Sequence, residues 1–81
     1  MILSKGTEMQ EVALANAPEQ KALKVERISG SRTQSLRLVE MGVMPGAEVS
    51  IVQRSHGMMV VRVGGTRLGL ARNVADAILV K

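Results

Sequence analysis

The chain has 81 residues, enough for one small domain, and a formal net charge of +4 from eleven Lys and Arg against seven Asp and Glu. It holds no Cys, which excludes a disulfide framework and a thiolate metal site. It also lacks Phe, Tyr and Trp, so it can build neither the platforms on which single-stranded bases stack nor the grooves that read polyproline. A chain of this size buries only about 60–65% of its unfolded surface, which favours a thin core. No apolar run approaches the roughly 18 residues needed to span a bilayer. The first residues, MILSKGTEMQEV, lack the apolar run of a signal peptide. A cytoplasmic protein is expected.

Residues 1–11 show no sustained period and are expected to form a flexible N-terminal extension, with the domain proper over 12–81. Val12 and Leu14 are placed to dock on that domain, and Asn16-Ala17-Pro18-Glu19-Gln20 reads as a turn. A first strand is expected from Ala22 to Ile28. Leu23 and Val25 alternate with Lys24 and Glu26, but Ile28 falls out of phase, so a bulge or strand end belongs near Arg27. Ser31-x-x-Gln34 opens a helix as a capping box, with Thr33 a second N-cap candidate. Two helical turns are too brief to be stable alone, so packing must hold them. Leu38 and Met41 are expected to close one end of a barrel. Gly42 follows as the residue that ends the helix in a left-handed conformation, and Pro45-Gly46 suits a type II turn.

From Ala47 the pattern switches to period two. Strand two is expected over Glu48–Arg54, with Val49 and Ile51 inside and Glu48, Ser50, Val52 and Arg54 outside. After a short Ser55-His56-Gly57 loop, strand three over Met58–Val63 turns Met59, Val61 and Val63 inward. Gly64-Gly65 predicts a type I′ hairpin. Strand four, Thr66–Leu70, puts Leu68 and Leu70 inside; Arg72–Ala75 forms one helical turn; and a last strand, Ala77–Val80, buries Ile78 and Val80. The sum is an all-β fold, a small SH3-like barrel of about five strands with one short α-helix after the first strand, closed to limit exposed edges. A ferredoxin-like fold would need a second long helix, which the chain does not contain.

No catalytic set presents itself. His56, the single His, sits in a tight hairpin with no ordered nucleophile and orienting partner in view. Gly64-Gly65 joins two strands instead of opening a helix, so it is a turn and not a phosphate cradle. One His and scattered carboxylates cannot supply three or four clustered metal ligands. His56 is the weak candidate for a metal site shared with a partner. An apolar surface the barrel does not need is the better candidate site. Leu36, Val39 and Met44 lean outward with Arg32 and Arg37 alongside, which makes an apolar patch with a basic rim suited to docking another protein.

The runs Leu38-x-x-Met41-Gly42-Val43-x-Pro45-Gly46-Ala47-x-Val49, Val61-Arg62-Val63-Gly64-Gly65-Thr66-Arg67-Leu68-Gly69-Leu70 and Ala75-x-x-Ile78-x-Val80 together resemble the ferrous iron transport protein A (FeoA) family. The likeness covers about residue 12 to the C-terminus. It implies an SH3-like barrel that is cytosolic and non-enzymatic. It further implies an accessory or regulator of bacterial ferrous iron uptake that docks on the cytosolic side of the membrane transporter FeoB without entering the membrane. It implies no resident cofactor, with ferrous iron the transition metal such a protein would meet, alone or shared with a partner. Two alternatives stay open at this stage: a transition-metal-sensing SH3-like module using His56, and a basic small barrel that binds nucleic acid.

Overall fold

A computed structural model describes residues 11–81, so the expected extension over 1–11 lies, but for Glu11, outside the described residues. Chain order is β1 (Val12–Ala13), a 3-10 turn (Leu14–Asn16), β2 (Leu23–Ile28), α1 (Arg32–Glu40), β3 (Glu48–Ser55), β4 (Met58–Val63), β5 (Thr66–Ala71), α2 (Arg72–Ala75) and β6 (Ile78–Val80). The strands form one antiparallel sheet in the order β1-β6-β2-β3-β4-β5. The expected five strands become six, because Val12 and Ala13 pair with Val80 and Leu79. Nor is the sheet hydrogen-bonded into a ring: β1 and β5 are its edges.

The switch from helix to strand is built as the sequence predicts. Ser31 Oγ accepts a hydrogen bond from the Gln34 N–H at 3.0 Å, so Ser31 and not Thr33 is the N-cap. At the other end the Val43 N–H donates to the Leu38 carbonyl at 2.8 Å and the Gly42 N–H to that of Val39 at 2.9 Å. These are the two bonds of a Schellman motif, and Gly42 takes the φ of +93° that it requires. Leu38 and Val43 are both buried, the apolar contact that accompanies the motif. Met44, Pro45, Gly46 and Ala47 then form the type II turn, with Gly46 at φ +92° and the Ala47 N–H donating to Met44 at 2.9 Å. The turn delivers Gly46 and Ala47 onto Val25 of β2, whose N–H donates to Ala47 O and whose carbonyl accepts from the Gly46 N–H.

Two bulges set which residues face the core. In β2 the register shifts between Val25 and Arg27, so Ile28 regains the inner face and packs against the core. In β3 it shifts between Ile51 and Gln53, which displaces Val52. A one-residue slip sends every later side chain to the other face. Arg54, expected outside with Glu48 and Ser50, therefore stands opposite the buried Met59. From there it reaches under the N-terminal arm: Nε donates to Ala15 O at 3.1 Å, and the guanidinium also bonds Ala17 O and Glu19.

Two smaller expectations are corrected. Gly64 alone takes a positive φ, 63°, which is the pattern of a type II′ turn and not type I′. Met41, expected to face the core with Leu38, is 42% exposed. The helix ends at Glu40, and Met41 caps it with φ −91° and ψ 2°, at the rim. The core itself holds Leu14, Leu23, Val25, Leu38, Val43, Val49, Ile51, Val61, Ile78 and Val80 among others, with no buried polar side chain among the described residues.

Two stability predictions follow from these contacts. Gly42→Ala meets only Val63 Cγ1 at 3.5 Å, an ordinary contact, so its cost is backbone strain alone. The urea midpoint should fall by the equivalent of roughly 1–2 kcal/mol with an unchanged slope. Arg54→Met keeps the stem but strands the carbonyls of the buried Ala15 and Ala17. It should cost about 1.5–3 kcal/mol, and amide exchange should rise first over residues 12–17.

Candidate functional site

Of the nine residues of α1, only Leu38 is buried. The helix is thus attached through one side chain and its caps, leaving most of its surface to solvent. Arg32, Leu36 and Val39 recur at i, i+4 and i+7, which places them on one stripe. Leu36 is 54% exposed and Val39 40%; Met44, just beyond the helix, is 39% exposed. Together with Met41 they are four of the six large hydrophobic side chains exposed among the described residues, gathered between positions 36 and 44. Clustering is what distinguishes a contact surface from ordinary scattered apolar exposure.

The five residues singled out from the sequence do not all share one face. Arg37 is one position past Leu36 and so about 100° around the helix. It turns instead to a cleft of about 450 Å³ between α1 and β5, which it lines with Leu38, Met41, Leu70 and Val74. Arg32 therefore flanks the Leu36–Val39 stripe directly, and Arg37 rims the cleft behind it. Met41 stands with Arg37 on the cleft side, nearly opposite the Leu36–Val39 stripe, and lines the cleft. A helical step of three from Leu38 puts Met41 in the core only if the helix continues, and it ends at Glu40.

His56 occupies the β3–β4 turn with Gly57 and is exposed. It borders a second cleft, of about 430 Å³, along with Ser55, Met58 and Arg72. Met58 is exposed. No group of three or more His, Cys, Asp or Glu side chains that could hold a metal occurs among the described residues. Among the described residues, His56 thus has no cluster of ligands beside it that could hold a metal. No helix is long and apolar enough to cross a membrane among the described residues.

Comparison with known proteins bears on the domain as a whole. The sequence model of the FeoA domain matches residues 12–81. No protein of curated function matches significantly. Among solved structures, the chain is similar to an iron uptake regulatory protein, FeoA, at 27% identity and a TM-score of 0.81, covering 90% of this chain and 97% of that one. It is similar to the iron(II) transport protein A of Clostridium thermocellum at 28% identity and a TM-score of 0.80, over 86% of this chain and 44% of that one. A third is the zinc complex of Stenotrophomonas maltophilia FeoA, described as a prokaryotic SH3 domain protein and a candidate activating factor for ferrous iron transport. It is 27% identical, with a TM-score of 0.73, over 84% of this chain and 87% of that one.

Proposed function

Because the chain belongs to the FeoA family, linked to ferrous iron transport and built on an SH3-like fold, we propose that it is a non-enzymatic cytosolic accessory of ferrous iron uptake. In this reading it docks on the cytosolic side of the transporter FeoB. The observation that supports the reading is the exposed apolar pair Leu36 and Val39 on a helix whose one buried side chain is Leu38, with Met44 exposed just beyond it. Arg32 flanks the pair, and Arg37 rims the cleft on another side of the helix. Interfaces of this kind combine a small desolvated apolar centre with a charged rim, and Met and Arg are enriched in them. Most of the binding energy then falls on the few central side chains. Leu36, the most exposed of the cluster, and Met44 are assigned that role, with Val39 completing the apolar surface between Arg32 and the turn.

Titration calorimetry against the transporter's cytosolic domain tests the assignment. Leu36→Asp and Met44→Asp should each weaken binding by tenfold or more, equivalent to at least about 1.4 kcal/mol. Val12→Asp, which alters a comparably exposed apolar residue outside the cluster, should bind as the unaltered chain does. Wild-type affinity in both cluster variants would remove the helix face from consideration.

A second reading, direct metal sensing, draws on the zinc complex of a relative. In this chain it would rest on His56 at the mouth of its cleft. Anaerobic addition of ferrous iron to the isotopically labelled protein separates the readings. The docking reading expects no shift beyond the noise at residues 54–58, whereas metal sensing requires shifts centred on His56.

A further inference from the structure

On the outer face of β3, β4 and β5 lies a groove of about 630 Å³ to which no residue of α1 contributes. Its floor carries a row that crosses three strands: Ser50 stands opposite Arg62, and Arg62 opposite Arg67. Like charges directly opposed across an antiparallel pair destabilise a sheet, yet both guanidinium groups are exposed here with no ion-pair partner among the described residues. Lys21 adds a third cation at the groove's margin. The one carboxylate in the lining, Glu48, faces Lys24 across β2–β3.

The wall that carries Lys21 is held in a costly conformation. Gln20 is the only non-glycine residue with positive φ, 60°, among the described residues. Its N–H donates to Ile51 O at 2.9 Å and its Nε2 to Val52 O at 3.4 Å, the carbonyls at the β3 bulge. This pins the 18–22 loop against β3. An uncommon backbone state of this kind persists only where its surroundings impose it, and such residues cluster at binding sites.

We propose that this groove binds an acidic, extended segment of a partner polypeptide, with Arg62, Arg67 and Lys21 receiving its carboxylates and Ser50 donating from its hydroxyl. Guanidinium groups match carboxylates in bidentate geometry. The row spans two inter-strand spacings, about 10 Å, which is the length of roughly three extended residues. Two or three neighbouring Asp or Glu side chains therefore suffice. Nucleic acid would meet the same charge but no aromatic side chain on which to stack. An open groove also leaves a small ligand largely in water, unlike the cavities that enclose most of a ligand's surface. This inference does not rest on the helix-face reading, and its test uses no transporter, so the two stand or fall separately.

The test is fluorescence anisotropy with end-blocked, fluorescein-labelled hexaglutamate at about 0.01 M salt, where surface charges are least screened. Saturable binding is expected, weakened tenfold or more by Arg62→Glu and by Arg67→Glu. Arg32→Glu, the same charge change placed on α1, should alter it less than twofold. Three outcomes would overturn the proposal: no saturable binding; equal weakening by Arg32→Glu, which would make net charge the whole effect; or tighter binding of labelled oligothymidylate of the same charge, which would make nucleic acid the occupant.

Discussion

The bond from the Val43 N–H to the Leu38 carbonyl is the constraint on which this fold turns. It ends the helix and, in the same stroke, puts Leu38 and Val43 side by side in the core. Without it α1 has little to hold it, since a nine-residue helix is marginal alone and only one of its side chains is buried. The Pro45-Gly46 turn then returns the chain to Val25, where Gly46 and Ala47 complete one edge of β2. β6 pairs with the other edge from Val25 to Ile28, so β2 is held from both sides around Val25. Helix placement and sheet assembly are thus one event.

That arrangement explains why the apolar cluster is exposed. A helix that folds as a connection between β2 and β3 has to bury only enough to stay attached. Leu36 and Val39 are not required by the core, which is filled from the strands and from Leu14, Leu38 and Val43. The absence of aromatic side chains sharpens the point, because a core made of Val, Leu, Ile, Ala and one Met closes with short side chains. Exposed Leu, Val and Met are then surplus to the packing of the domain, and their concentration between 36 and 44 calls for an explanation outside it.

Much of this was legible in the sequence because local chemistry decided it. Ser31 brings a capping hydroxyl, Pro45 a fixed φ, and Gly42 and Gly46 the freedom to take a positive φ, and all four act as their residue types predict. Alternation in 58–63 settled the inner face of β4 directly. What local pattern could not show were the consequences of the second bulge. Val52 is apolar where the alternation calls for a polar residue, but one such residue does not specify a bulge, and the shift there moves Arg54 to the inner side, where it holds the N-terminal arm through two carbonyls. Long-range pairings of that sort also created β1, whose two residues carry no strand signal and are organised by Leu79 and Val80. The candidate site was legible as a set of exposed residues on one helix. Its division into a stripe and a cleft was not, because that depends on which side β5 approaches.

The two surfaces of the protein differ in how the fold treats them, and the difference bears on their use. On the helix side every local device is favourable: the N-cap bonded, the Schellman pair formed, the glycines where positive φ is needed. On the sheet side two unfavourable features meet at one groove. Arg62 opposes Arg67, at a cost of about 0.2–1 kcal/mol for such a pair. Gln20 holds a left-handed conformation that costs a residue with a Cβ roughly 1–2 kcal/mol. For a domain whose net stability is on the order of 0.05–0.15 kcal/mol per residue, the sum is a sizeable fraction of the whole. Neither feature is needed to close the core, since Arg62, Arg67 and Gln20 are all exposed. A small domain that retains both, on adjoining walls of one groove, keeps a concentration of positive charge that its own side chains leave unneutralised among the described residues, and an anionic partner would relieve the repulsion that the fold sustains there.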